Sequence, residues 1–511
     1  MLRVKAVPVR GWAVRRALRP AIVAGLAVAA CAVFEPPLDN PDASNRPDSS
    51  VGGSGGASSG TGGQSGSSGQ SGSSGRGGVS GSGGSSGRGG SGGSSGSAGA
   101  DAGDGSGGSG GNLPLGPWWK KTNTDGCEVE SQPSHADRPS AALDGPSIPS
   151  ITLAQSRIRI GGVKDDANLT IDEEAWKDIG FDIDQTCTLS PTCPEPDAAA
   201  ALPKVGCKQN PVTKDGNRCR DNALGYLFPT GASAQSVGEW VGVREENWNC
   251  MLYRGESGTL FRISSYNGQP YDPSVRLDVY QSIGTKLLPS WTCVDPVTYA
   301  INPNWKTQPP WLASRHWYIS RRSIALNAPD VAPELPNAKM SDPAAFVRGG
   351  YLYAAFPPNA EIWLQGQRAH FSGLRTVLQR AFMVGRLRNT SEGWVMDDAT
   401  IAGAVLPGDE VQSFREIGYC QNMCQSYAIL ADFFNATADV LSTTTEPLPN
   451  TPCDALSIGF AFSARQATAE ANDLIDSDPP VDCPNPKNPN APRQGCPCAD
   501  GGGCPLPDGG T

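Results

Sequence analysis

Three histidines, His135, His316 and His370, bound the imidazole chemistry open to this chain. A His-rich metal centre is excluded, and a Ser-His-Asp triad would have to recruit one of the three. His316 sits between Arg315 and Trp317, an aromatic flank that reads as core packing, and His370 has no partner near it in sequence. Carboxylates stand close to tryptophans in four places: Glu239 beside Trp240, Glu245-Glu246 before Trp248, Glu361 before Trp363, and Asp397-Asp398 after Trp394. Two acids flanking a sugar that stacks on an aromatic face would be glycosidase chemistry. Successive residues of a regular strand point to opposite faces, however, so an adjacent doublet is not by itself a catalytic pair. Solvated rims are the better reading of all four. The chain carries no phosphate-binding glycine loop, no dinucleotide fingerprint and no H-E-x-x-H. A formal G-x-S-x-G at 52–56 lies in a Gly/Ser tract with no strand before it and no helix after it, so it is not a nucleophile elbow. No catalytic residue is assigned.

Two oxygen-rich stretches could hold a hard cation. Asp166-x-Asn168-x-Thr170-x-Asp172 alternates like a calcium loop, but Ile171 and Lys177 stand where an EF-hand needs Gly and Glu. The second stretch runs from Asp215 to Asn222 and places Asp215, Asn217 and Asp221 in one turn that a disulfide at Cys219 would stiffen. Calcium on these three residues is the one cofactor the sequence offers, and an ordinary Asx-rich turn is the competing reading.

The elements that must position these groups are mostly strands. Alternating or short apolar runs predict strands at 150–160, 175–183, 259–265, 275–282, 351–356, 360–364, 377–387 and 456–464. Tyr266-Asn267-Gly268-Gln269-Pro270 predicts a hairpin, because Asn-Gly readily supplies positive φ. One long helix is expected at 421–441, where Met423, Tyr427, Leu430, Phe434 and Leu441 recur at helical steps. Many strands and one helix near the C-terminal end imply a mainly β fold, a β-sandwich of jelly-roll or lectin-like type.

The folded part is shorter than the 511 residues imply. Residues 51–111 are almost wholly Gly and Ser and hold 29 of the 63 glycines. With few apolar side chains to offset backbone ordering at about 1 to 2 kcal/mol per residue, this tract is expected to be a flexible tether spanning roughly 40 to 47 Å. Before it, basic residues up to Arg19 precede an apolar stretch at 20–30 and then Cys31. Eleven residues are too few to span a bilayer and suit a secretory signal. The expected organisation is a signal peptide at 1–30, a lipidated N-terminus and tether at 31–112, a β-rich domain at 113–466, and a Pro/Gly/Cys-rich tail at 467–511. The net charge is -10, and near -16 without the basic leader, so nucleic acid is not expected as a partner.

Fourteen cysteines remain besides Cys31: Cys127, Cys187, Cys193, Cys207, Cys219, Cys250, Cys293, Cys420, Cys424, Cys453, Cys483, Cys496, Cys498 and Cys504. An even number in an exported chain predicts disulfides throughout. The last four are expected to pair among themselves, since a coreless tail needs covalent closure, and the Cys496-x-Cys498 step lacks zinc-ligand spacing. Cys420 and Cys424, four apart on a helix, are too distant for a relaxed bridge, which leaves Cys453 as the natural partner for one of them.

Leu26 and Val28-Ala29-Ala30-Cys31 resemble the lipobox of bacterial lipoproteins, with Val in place of the commoner Leu three residues before the cysteine. That resemblance implies acylation of Cys31, attachment to the membrane through lipid alone, and, from Ala32 after the cysteine, sorting to an outer membrane with the body on its surface or periplasmic face. A second resemblance spans most of 150–464: ITLAQSRIRIGG, DEEAWKDIGFDID, DGNRCRDNALG and CDALSIGFAFSA look like stretches of uncharacterised predicted bacterial lipoproteins with a Ser/Gly tether. It implies an exported domain and no particular activity. The expected function is a lipid-anchored cell-envelope protein presenting a binding or structural module, with a glycan or another envelope protein as partner. The alternative is a lipid-anchored polysaccharide hydrolase using paired carboxylates.

Overall fold

A computed structural model describes residues 115–123, 126–188, 206–208, 214–231, 237–293, 301–326, 334–364, 374–416, 432 and 434–475. Cys31, the tether, His370, Cys193, Cys420, Cys424 and the tail cysteines lie outside them. Eight strands form the centre: β1 (Ile151–Arg159), β2 (Gly258–Ser264), β3 (Asp272–Thr285), β4 (Met340–Arg348), β5 (Tyr351–Ala355), β6 (Leu374–Thr390), β7 (Gly393–Val405) and β8 (Leu456–Gln466). Each pairs antiparallel with the next in the chain, and β8 returns to pair with β1, so the sheet closes into an up-and-down barrel.

This overturns the expected β-sandwich. Alternation along the chain locates strands, but it does not report whether the edges of a sheet meet. Closure is made possible by register shifts in the β3–β4, β6–β7, β7–β8 and β8–β1 pairings, where bulges bend long strands. The interior is filled. Leu153, Phe261, Leu277, Val347, Leu352, Met383, Ile401 and Phe460, one from each strand, belong to a single buried cluster, and Phe261 stacks on Phe462 with ring centroids 4.9 Å apart. An eight-stranded barrel is just wide enough for side chains to fill it.

The opposite strand faces are covered by segments of the same chain. Trp118 and Trp119 precede the barrel and pack with Phe346, Tyr351, Tyr353 and Phe382, together with Phe181. On another side Trp311 and Trp317 meet edge to face at 5.0 Å and cover Leu260 and Tyr280. A short strand Trp317–Ser320 extends the edge of β3, and Ala360–Leu364 extends that of β6.

Two other expectations need correction. Residues 175–183 do not form a strand: Ala175–Asp178 is a 3-10 helix that buries Trp176. The long helix expected at 421–441 is not found. Residues 434–436 are helical, but Val440 is already bridged to Ala455 in extended pairing, and 417–431 lie outside the described residues. The longer helices among the described residues are α1 (Ala223–Gly231), α2 (Val237–Arg254) and α3 (Pro407–Glu416). The hairpin at Asn267-Gly268 does join β2 to β3, with Gly268 at φ 77°.

Helix α2 solves an edge problem. β1 pairs with β2 only over Ile151–Ala154, which leaves the following backbone without a strand. Asn249 takes both roles of a missing strand toward Ile158, accepting its N–H at 2.9 Å and donating to its carbonyl at 2.8 Å, while Glu245 accepts from Ile160 and Gly162. All are buried, so Asn249→Ala leaves two backbone groups unsatisfied. The expected cost is about 2 to 4 kcal/mol, read as a lowered urea midpoint of the body; an unchanged midpoint would contradict this docking.

Helix α3 carries Glu410, whose side chain is fully buried beside the Thr376 hydroxyl. Burial, opposed by the Thr376 hydroxyl and, more weakly, by Arg375, and reinforced by the Asp409 charge, pushes its carboxyl up from 4.5 to about 8. Between those pH values the folded chain holds a proton that the unfolded chain has released, so stability falls as pH rises from about 4.5 to about 8 and is level beyond. Glu410→Gln removes that dependence. Its melting temperature should exceed that of the parent by several degrees at pH 9, with the gap closing toward pH 5, since each tenfold difference in proton affinity between the folded and unfolded chain is worth roughly 1.4 kcal/mol. A pH-independent difference would exclude Glu410 as the titrating group.

Candidate functional site

A cleft of about 450 Å³ opens where the end of β1, the bulged part of β7 and the segment before the barrel meet. Its polar wall holds Arg157, Arg159, Arg220, Asp165, Asp397 and Asp398, and Trp119, Phe181 and Tyr351 line the remainder. The guanidinium groups are held in fixed positions. Asp165 pairs with Arg157 at 3.3 Å and with Arg159 at 3.1 Å, and Arg220 spans Glu130 at 3.0 Å and Asp178 at 3.3 Å. Glu130, itself buried, also accepts from the Trp119 indole at 2.8 Å and so ties the aromatic wall to the charged one.

The β7 bulge alters the reading of one acidic doublet. A register shift between Met396 and Ala399, with Asp398 at φ 46°, interrupts the strand alternation, and both Asp397 and Asp398 line the cleft. Asp397 is hydrogen-bonded by Arg388, while its buried Oδ1 has no partner among the described residues. The other doublets are structural: Glu245 caps backbone, Glu246 pairs with Lys306 at 3.2 Å, and Glu361 with Arg375 at 2.9 Å. The side chains of Glu239 and Trp240 lie outside what is described. Among the described tryptophans none is exposed, so the described surface offers no open aromatic platform for sugars.

Nor do the histidines build a triad. His135 Nε2 meets Asp342 at 3.0 Å and His316 Nδ1 meets Asp473 at 2.9 Å, and among the described residues no hydroxyl bonds either ring. The first pair fastens a segment outside the barrel to β4, and the second joins two segments outside the barrel to each other.

The expected calcium set is divided by the fold. Asn217 donates to Asp178 at 2.8 Å in an exposed position, whereas Asp215 and Asp221 turn inward. Asp221 comes together with Asp182 and Asp184, with one oxygen of each within 4.8 Å of the others. Asp215 and Asp439 add their fields to the same buried region. Burial raises all five carboxyls: Asp184 to about 6, Asp439 to about 7, and Asp182, Asp215 and Asp221 well above the usual carboxylate range, with neighbouring aspartates adding to the rise for these three. The signal in the sequence that points to this cluster is Asp182-x-Asp184 shortly before Cys187, a spacing that places two carboxylates beside a bridge.

Disulfides hold this region together. Cys187 joins Cys219, Cys207 joins Cys453, and Cys250 joins Cys293. Cys127 is also disulfide-bonded. Cys453 therefore pairs with Cys207 and not with Cys420 or Cys424, because residues 448–452 run parallel to Cys207–Lys208.

Comparison with protein-family models, with curated proteins and with solved structures finds no match to this chain.

Proposed function

We propose that the protein is a lipid-anchored cell-envelope module, attached through acylated Cys31 to an outer membrane and carried on its Gly/Ser tether, that binds a polar glycan in the β1–β7 cleft. The observation that carries this reading is the composition of the cleft. Ion-paired guanidinium and carboxylate groups line a space of about 450 Å³, together with Trp119, Phe181 and Tyr351. Hydroxyl-rich ligands suit such a surface, because charged donors and acceptors make strong hydrogen bonds to hydroxyls. The filled barrel supports the same choice, since a core packed with Phe261, Phe460 and Phe462 leaves ligands to the outside. Membrane contact through lipid alone accords with the absence, among the described residues, of a helix long and apolar enough to cross a bilayer, although that says nothing of strands. A hydrolase reading draws on Asp397 and Asp398, both at the cleft.

Cys31→Ser should abolish incorporation of labelled palmitate and release the protein from the membrane fraction; labelling that survives the change refutes the anchor. For the cleft, the full chain carrying Arg159→Ala should lose at least fivefold in affinity for any glycan that the parent retains on an array. No glycan signal for the parent, or an unchanged signal for the variant, would reject this binding face. Shortened oligosaccharide products that vanish in Asp397→Asn would replace binding by hydrolysis.

A further inference from the structure

The carboxylates of Asp182, Asp184 and Asp221 come from two stretches of chain that run antiparallel to each other. Asp221 N–H donates to the Phe181 carbonyl at 2.9 Å, and Asp215 N–H to that of Thr188 at 2.9 Å, so 181–188 and 215–221 are joined by backbone at both ends. Cys187–Cys219 adds a covalent tie between the same stretches. Cys207–Cys453 fixes a third wall: Gly206 lies directly against Asp184, where a β-carbon would collide with its carboxylate. The cage is built before any ligand arrives.

Backbone and hydroxyl donors satisfy only part of the oxygen set. Asp221 Oδ2 accepts from Ile183 at 2.6 Å and Asp184 at 3.1 Å, and Asp184 Oδ1 accepts from the Thr186 amide at 2.9 Å and hydroxyl at 2.7 Å. Asp182 is 6% exposed; backbone N–H groups of Gln185 and Thr186 donate to its carboxylate, but its Oδ1 has no hydrogen-bond partner among the described residues. Arg380 is the cation whose field acts on Asp184 and Asp221, but its Nη2 is committed to the Leu441 carbonyl at 2.5 Å, and neither its Nε nor its Nη1 bonds to any described residue. One guanidinium so engaged cannot offset three clustered carboxylates. An unpaired buried charge costs several kcal/mol, and a bound cation removes that cost.

We infer that Asp182, Asp184 and Asp221 form a binding site for a divalent hard cation of the calcium class, pre-shaped by the Cys187–Cys219 bridge. All donors are oxygen, with no thiolate or imidazole among them, which fits calcium or magnesium and not zinc. Rigid walls and three carboxylates favour the ion that tolerates irregular coordination, namely calcium. The site borders the glycan cleft through Phe181 and Arg220, which line that cleft, but the inference does not rest on what the cleft binds.

The test uses the full chain, stripped with EDTA and titrated with CaCl2, MgCl2 or ZnCl2 by calorimetry and thermal melting. Calcium should bind with one-to-one stoichiometry and raise the melting temperature, and magnesium should bind more weakly. Asp182→Asn should weaken calcium at least tenfold while melting no lower than the stripped parent, since it removes a buried charge. Asn217→Ala, at the exposed position, should bind like the parent. No calcium binding by the stripped parent, or equal binding by Asp182→Asn, overturns the proposal. So does an infrared band of protonated carboxyls at neutral pH that calcium leaves unchanged, because shared protons would then occupy the place of the ion. Stoichiometric zinc would overturn the assignment of the ion class.

Discussion

The pairing of β3 with β4 is the contact on which the rest of this structure depends. Val275, Leu277, Asp278 and Val279 of β3 lie opposite Ala345, Asp342, Ser341 and Met340, and without them the sheet would end in two long open edges. Open edges of that length pair with other chains. Closure converts them into ladder hydrogen bonds and turns one face of every strand inward. That face then needs side chains sized to fill a ring, which accounts for the phenylalanines and methionines of β2, β6, β7 and β8. Asp278, buried on the outer side between Arg262 and Arg276 at 2.7 Å each, pins the same strand to the layer above it.

From closure the cleft and the acidic cage follow in turn. Bending eight strands into a ring requires bulges, and the one in β7 delivers Asp397 and Asp398 to the cleft. The outer face of β8 alternates small residues, Ser457, Gly459, Ala461 and Ser463, and the stretch leading to Phe181 lies directly on it: a β-carbon on Gly459 would stand 2.9 Å from Gly180 Cα. Asn222 secures that approach by accepting from Gly459 N–H at 3.0 Å. Two chain segments pressed onto the same wall bring Asp182, Asp184 and Asp221 into contact. The carboxylates are thus placed by packing of backbone on backbone, with the disulfides locking an arrangement already close.

What is legible in the sequence divides along physical lines. Strands such as Ile151–Arg159 and Leu456–Gln466 announce themselves because alternation is a local property of a face. Closure, the β4 strand and the covering tryptophans are products of long-range pairing and leave no local periodicity. The helix expected at 421–441 fails for a related reason. Leu441 falls seven residues after Phe434, a helical step, but its neighbour Val440 packs with Ala404 and Ala455 and is bridged to Ala455 in extended pairing. For the acidic groups, closeness in sequence unites Asp215, Asn217 and Asp221. The fold sorts them by direction instead, sending Asn217 outward and recruiting Asp182 and Asp184 from more than thirty residues away.

The ring is sealed by strands that stand at the two ends of the sheet in chain order, β1 and β8, and that has a bearing on how the chain comes into being. A ribosome delivers Ile151–Arg159 roughly three hundred residues before Leu456–Gln466. Through that interval β1 has half of its ladder unmade. Helix α2 covers only the opposite edge, where Asn249 holds the Ile158 backbone groups, so the edge that awaits β8 stays open. Contacts of such long sequence separation form slowly and late. Maturation of this body is therefore a matter of waiting for its last strand, and a chain truncated anywhere before Leu456 would be left with an adhesive edge.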